Sequence, residues 1–324
     1  MGKVIYFNGK FVPEEKAVIP VTTHALHYGT GCYEGIRAYY NEEKKALYVF
    51  RLEDHFKRME NSVKIMHIKL PGSAKELSKI AIELLKRNFS GADVYFLNEV
   101  KKANSVYIRP LAFKSDPAIG NFNLAKVSDS FAMYCVPLGR HYAKEEGLKV
   151  NVSSWVRVSD KAIPPRGKIT GSYANTCLAK TESAQSGFDE ALLLDGNGNV
   201  VEGSAENFFM VKNGSLITPL TSADILAGVT RDSIIEIAKN ELGIEVVERN
   251  IAREEIYGAD EIFLCGTGSE IAGVVEIDGR AIGDGKVGQI TGQVKKLYLE
   301  IIHGNNPKYF KWLSKVERNV KDRL

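Results

Sequence analysis

The chain is short of several things, and each shortage excludes something. Its 324 residues include only four cysteines (Cys32, Cys135, Cys177, Cys265), far apart and without metal-type spacing. They read as reduced core thiols of a cytoplasmic protein, and neither a disulfide framework nor a metal site is expected. His24 and His27 lack ligand partners at plausible spacing and read as structural. No apolar run approaches the roughly 20 residues of a membrane span. The N-terminus runs straight into a hairpin pattern rather than a signal peptide. An excess of one charge is also missing: Lys+Arg 43 against Asp+Glu 40 leaves +3, spread along the chain, which argues against a nucleic-acid partner. The loop Gly266-Thr267-Gly268 fails the G-x-G-x-x-G spacing and no Walker lysine follows, so neither nucleotide fingerprint applies. No internal repeat of fixed period stands out.

What is present is the punctuation of a mixed α/β chain, long enough for two domains. Asn8-Gly9 between Val4–Phe7 and Lys10–Val12 is a hairpin signal, repeated at Asp195–Gly198, Asn213-Gly214 and Asp278-Gly279. Phe56, Met59, Val63 and Met66 fall on one helical face after Leu52. Ser73 with Glu76 forms a capping box ahead of Leu77, Ala81 and Leu84. Thr230 opens a helix with Ile234, Ile235, Ala238 and Leu242 inward, and a last helix carries Ile290, Val294, Leu297 and Ile301. The aperiodic stretch 137–147 reads as a connection, giving domains 1–136 and 148–324.

Five features have the makings of chemistry. Lys168 sits in Gly167-Lys168-Ile169-Thr170-Gly171, where the glycines read as clearance for a flat ligand. Glu202 leaves a strand into Gly203-Ser204-Ala205 and either points into a cleft or is a solvated turn residue. Leu226–Arg231 feeds a helix start, a natural place for an anion and equally an ordinary N-cap. The small-residue loop at Thr267 is a second candidate anion nest. Strand alternation puts Tyr107 and Arg109 on one face, and arginine is the fork that fits a carboxylate.

In this order these segments resemble the class IV (fold type IV) pyridoxal-phosphate aminotransferases, most of all the branched-chain amino acid aminotransferases. The resemblance runs from His24–Thr30 and Tyr33-Glu34-Gly35-Ile36-Arg37 through Tyr107–Pro110, Ser153–Trp155, Lys168–Tyr173, Glu202–Asn207 and Gly228–Arg231 to Gly266–Gly268. It implies a two-domain D-amino-acid-aminotransferase-like fold of mixed α+β type, pyridoxal 5′-phosphate as cofactor, and transamination between branched-chain L-amino acids and 2-oxoglutarate. Lys168 resembles the lysine that holds the cofactor's aldehyde and then moves the Cα proton. Glu202 matches the carboxylate facing the pyridine nitrogen, and Tyr173 the phenol bonded to O3′. Arg58, Leu226, Val229, Thr230 and Thr267 match the phosphate cup. For the substrate, Arg109 matches the arginine for the second carboxylate of glutamate. Tyr107 with Thr267 and Gly268 takes the α-carboxylate, and Tyr33, Gly35 and Arg37 line the pocket. Tyr28 resembles a tyrosine lent to the neighbouring site, which implies a homodimer or higher homo-oligomer.

The chain departs from the pattern in three places: Tyr33 where phenylalanine is common, a longer segment at Asn98–Asn104, and Arg140-His141-Tyr142 in the connection. The alternatives are a D-amino-acid or (R)-amine transaminase, an aminodeoxychorismate lyase, or a non-catalytic phosphate- or cofactor-binding protein of the same fold. Tyr107-Ile108-Arg109 with Gly35 favours the branched-chain type, and the presence of Lys168, Glu202 and Tyr173 speaks against a silent binder.

Overall fold

The computed structural model describes residues 3–90, 93–96, 99–102, 104–117, 119–139 and 144–316. The chain divides into two compact units. The first holds Met1–Gly139, Gly167–Gly171 and Glu300–Leu324; the second holds Arg140–Arg166 and Ser172–Leu299.

The first unit is an antiparallel sheet backed by two helices. Its strands run in the order Lys10–Pro13, Val4–Phe7, Asp129–Pro137, Ser105–Lys114, Ile36–Asn41, Ala46–Phe50, Leu313–Val316, with Gly31–Tyr33 also on Ser105–Lys114. The Asn8-Gly9 turn has both residues at positive φ, as a type I′ hairpin requires. The helix Leu52–Ile65 buries Phe56, Met59 and Val63, and ends one residue before Met66, which is only half-buried. The helix Ala74–Asn88 carries the full Ser73–Glu76 capping box and buries Leu77, Ala81, Leu84 and Leu85. The long segment before Tyr107 forms a small sheet of Phe89–Ser90, Asp93–Phe96 and Glu99–Lys102. Asn98, Ala103 and the Arg140-His141-Tyr142 triplet lie outside the described residues.

The second unit is a mixed sheet in the order Val200–Gly203, Glu190–Leu194, Leu148–Val156, Glu270–Ile277, Glu261–Gly266, Asn207–Lys212, Ser215–Thr218, Val246–Glu248. Val200–Gly203 also pairs with Asn207–Lys212 through Glu202 and Asn207, so six of these strands close into a ring. Closure removes two sheet edges and packs Val150, Leu192, Val200, Phe208, Met210, Leu264 and Val274 into one core. Asn213-Gly214 and Asp278-Gly279 are positive-φ hairpin turns, as expected. Leu148–Val156 runs parallel to both its neighbours, a pairing that no hairpin can make. Among the described residues no helix is long and apolar enough to cross a membrane.

Two expectations need correction. The helix after Leu226 spans Val229–Glu241 with Gly228 as its N-cap, so Thr230 lies inside the first turn and its inward residues are Ile234, Ile237 and Ala238. The single boundary at 137–147 is also too simple. Leu313–Val316 pairs with Ala46–Phe50 and returns the C-terminal segment to the first sheet, while residues 167–171 belong with the first unit as well.

Candidate active site

In the first unit, the Lys168 segment is stitched to the strand Gly31–Tyr33. Cys32 and Ile169 form a β-bridge, Tyr33 N–H donates to Lys168 O at 3.0 Å, and Lys168 N–H donates to Ser62 Oγ at 3.0 Å. Thr170 Oγ1 donates to Gly29 O at 2.7 Å and accepts from Gly31 N–H at 3.1 Å. The glycines here allow close packing of the segment. A Cβ on Gly29 would stand 2.6 Å from Gly171 Cα, and one on Gly167 would press on Ile65 at 3.0 Å. Lys168 itself is half-buried, with Nζ 4.9 Å from the centre of the Tyr33 ring.

The same ring meets Arg109, whose Cζ is 4.2 Å from its centre and 5.1 Å from that of Tyr107. Arg109 Nη2 donates to Tyr107 Oη at 2.9 Å, confirming the shared strand face. Arg109 Nε is buried without a hydrogen-bond partner. Burial acts first and lowers the Arg109 pKa, but the phenols of Tyr107, Tyr33 and Tyr134 reverse that and leave it raised. Gly35 makes this arrangement possible, because a Cβ there would fall 2.2 Å from Tyr107 Oη. Tyr33, Gly35, Tyr107, Arg109 and Lys168 therefore form one cluster.

Arg58 and Arg37 adjoin the same strands, Arg37 standing opposite Tyr107 in the register. Arg58 Nε and Nη2 donate to the two oxygens of Glu34, each at 2.7 Å. His55 Nδ1 lies 2.9 Å from Glu34 Oε2. Glu34 is fully buried; burial by itself raises its pKa, but the Arg58 ion pair and the His55 hydrogen bond hold it well below the usual carboxylate range. The His55 pKa is lowered, chiefly by burial and despite Glu34, so the ring is neutral and Nδ1–H is the donor. Arg37 is buried on Ser105 Oγ at 2.9 Å and Gly139 O at 3.0 Å, and stacks on Tyr39; it anchors the end of the strand Asp129–Pro137. Tyr28 Oη accepts from Gly120 N–H at 3.0 Å beside Phe122.

In the second unit Glu202 sits at the seam of the strand ring. Its Oε1 is 2.7 Å from Arg157 Nε, and Oε2 accepts from Leu226 N–H at 3.1 Å and Asn207 Nδ2 at 3.3 Å. Asn207 also donates to Leu226 O at 2.8 Å, and a Cβ on Gly228 would stand 1.9 Å from Asn207 Oδ1. One asparagine thus ties Glu202 to the start of the helix Val229–Glu241, where Val229 and Thr230 occupy a first turn that no side chain caps. Such a helix start attracts an anion. Tyr173 opens the helix Tyr173–Gln185. Thr267 and Gly268 lie in the turn after Glu261–Gly266, where the buried Ser269 Oγ has no hydrogen-bond partner.

The residues overlooked in the sequence are Glu34, His55, Arg157 and Asn207. Glu34 stood inside a quoted motif, where its burial was invisible. Asn207 closed another, and its role depends on a strand pairing that no local pattern records.

The first unit thus presents an amine at Lys168; the second presents a carboxylate held from three sides at Glu202 and, separately, a helix start that no side chain caps. Residues 31–277 match the family model for amino-transferase class IV. The chain belongs to the class IV aminotransferases. It is 43% identical over 311 residues, 96% of each chain, to the probable branched-chain-amino-acid aminotransferase of Aquifex aeolicus. The branched-chain aminotransferase of Thermoproteus uzoniensis, solved with norvaline, superimposes with TM-score 0.89 at 40% identity over 98% of this chain and 100% of that one. The branched-chain amino acid aminotransferase of Thermobaculum terrenum, solved in its PLP-bound holo-form, gives TM-score 0.87 at 34% identity over 98% and 99%. The cofactor of this class IV aminotransferase is pyridoxal 5′-phosphate.

Proposed function

We propose that the protein exchanges the amino group between branched-chain L-amino acids and 2-oxoglutarate in two half-reactions at one site. Arg109 carries this reading. An arginine held against two phenol rings, with Nε buried and unpartnered, suits a pocket that takes an apolar side chain and, in turn, a carboxylate.

When bound, the cofactor supplies an electron-withdrawing ring that accepts the electrons left when the Cα–H bond breaks. Lys168 would hold the cofactor through Nζ, and its free amine would move the proton at the substrate Cα. Glu202, held by Arg157, Asn207 and the Leu226 N–H, would support a proton on the ring nitrogen, Tyr173 would orient the ring, and Arg58, Leu226, Val229, Thr230 and Thr267 would hold the phosphate. Tyr107 and the Thr267–Gly268 amides bind the α-carboxylate, and Gly35 leaves room for the Tyr107 hydroxyl.

A homodimer is the working form in this reading, with Tyr28 at its interface. Val21, Leu26, Ile119 and Phe122 are all at least 65% exposed in the single chain, an apolar group of the kind a second copy covers. The four free cysteines suit a reducing cytoplasm.

The test follows the two half-reactions separately. L-Leucine and L-glutamate should each discharge the cofactor's absorbance, and D-alanine should not. Arg109→Ala should slow the glutamate half-reaction far more than the leucine one. Rapid discharge by D-alanine with none by L-leucine would overturn the assignment.

A further inference from the structure

Arg109 carries a charge that its surroundings must compensate under two opposite conditions. An arginine remains protonated in proteins. Among the described residues no carboxylate lies within ion-pair distance of it, and its one hydrogen bond goes to Tyr107 Oη. Its compensation is aromatic: the Tyr33 ring at 4.2 Å and the Tyr107 ring at 5.1 Å, with Tyr134 opposite it on the neighbouring strand.

We propose that Tyr33 is a specificity-determining residue, whose ring face compensates the Arg109 charge so that one pocket accepts both an apolar side chain and a carboxylate. The inference rests on the reading of Arg109 as the arginine for the second carboxylate. A resident acidic partner on Arg109 would have to be displaced each time glutamate bound. A bare guanidinium would repel the methyl groups of leucine by holding water in the pocket. The negative face of a phenol ring avoids both: it attracts the cation without donors or acceptors of its own, and more weakly than a carboxylate does. An arriving carboxylate therefore wins the guanidinium edge, while an apolar chain meets a cation already covered. Lys168 Nζ also lies against this ring, 4.9 Å from its centre. A disturbance passed through Lys168 would affect both substrates alike, whereas uncovering the Arg109 cation would weaken the apolar substrate and leave the carboxylate its partner.

The experiment titrates the holoenzyme with two acids that cannot react, 4-methylpentanoate and glutarate, and reads binding from the cofactor's absorbance. Tyr33→Leu should weaken 4-methylpentanoate on the order of tenfold, the loss of one desolvated cation–π contact, and change glutarate far less. Tyr33→Phe keeps a ring face and should restore the wild-type ratio between the two acids. In an Arg109→Met background, Tyr33→Leu should no longer weaken 4-methylpentanoate. A wall valued only for being apolar makes the opposite prediction, because leucine is itself apolar. Unchanged or tighter 4-methylpentanoate binding in Tyr33→Leu, or equal weakening of both acids, overturns the proposal. If Arg109→Met itself leaves glutarate binding intact, it is the underlying reading of Arg109 that fails. Melting temperature and cofactor content of each holoenzyme variant separate these outcomes from misfolding.

Discussion

Replacing Glu34 by glutamine tests how the first unit tolerates its buried charges. Glu34 is 0% exposed and Arg58 13% exposed, and they share two 2.7 Å contacts. Glutamine keeps the shape and removes the charge, leaving the Arg58 guanidinium with a neutral partner. Breaking a buried pair from one side costs about 3–5 kcal/mol, mostly because the remaining charge is uncompensated. Arg58 retains some exposure, so the low end, about 3 kcal/mol, is the expected loss. Urea unfolding of the apoprotein measures it. Of the two tryptophans, Trp312 is buried in the first unit against Phe50 and Arg51, so its fluorescence in a Trp155→Phe background reports on the unit that contains Glu34. Adding Arg58→Met should recover much of the loss, since the double variant buries no unpaired charge. The sign with pH is also set. The Glu34 carboxyl is depressed when folded, so its contribution is complete above the ordinary glutamate range and fades as pH falls below it. The gap between wild type and Glu34→Gln should be flat from neutral pH to about pH 5 and shrink below about pH 4. A loss under about 1 kcal/mol, or a double variant weaker than both singles, would refute the reasoning.

Three further outcomes are expected. Gly35→Ala places a Cβ 2.2 Å from Tyr107 Oη, so the phenol must move; KM should rise for amino-acid and oxo-acid substrates together, and an unchanged KM would contradict the assigned role of Tyr107. Gly228→Ala drives a Cβ to 1.9 Å from Asn207 Oδ1 and should loosen Glu202 and the helix start at once, seen as weaker cofactor binding on dialysis. Retention equal to wild type would show that the helix start does not hold the phosphate. His55 is buried with a lowered pKa, so the unfolded chain takes up a proton there that the folded one declines; stability should fall as pH drops below about 6.5. His55→Asn should flatten that slope, and an identical slope would place its origin in another histidine.

The parts of this fold with local causes could be read from the residues alone. Asn8-Gly9, Asn213-Gly214 and Asp278-Gly279 turn because two adjacent positive φ angles need such residues, and Ser73 caps its helix three residues from Glu76. Tyr107 and Arg109 share a face because strands alternate. What escaped was long-range. The Glu202–Asn207 pairing that closes the ring and the return of Leu313–Val316 to the first sheet join segments through hydrogen bonds that leave no trace in local periodicity. Arg37 stands opposite Tyr107 in the strand register, and its bonds to Ser105 and Gly139 are likewise long-range. Glu34 shows the same limit: a glutamate between Tyr33 and Gly35 looks like surface until His55 and Arg58 are seen around it.

Borohydride reduction of the holoenzyme addresses the central claim most directly. It should leave the cofactor bound irreversibly to a single peptide, the one that contains Lys168, with loss of transamination in proportion to labelling. Label on another lysine, or a Lys168→Ala protein that transaminates leucine at the wild-type rate, would contradict the account.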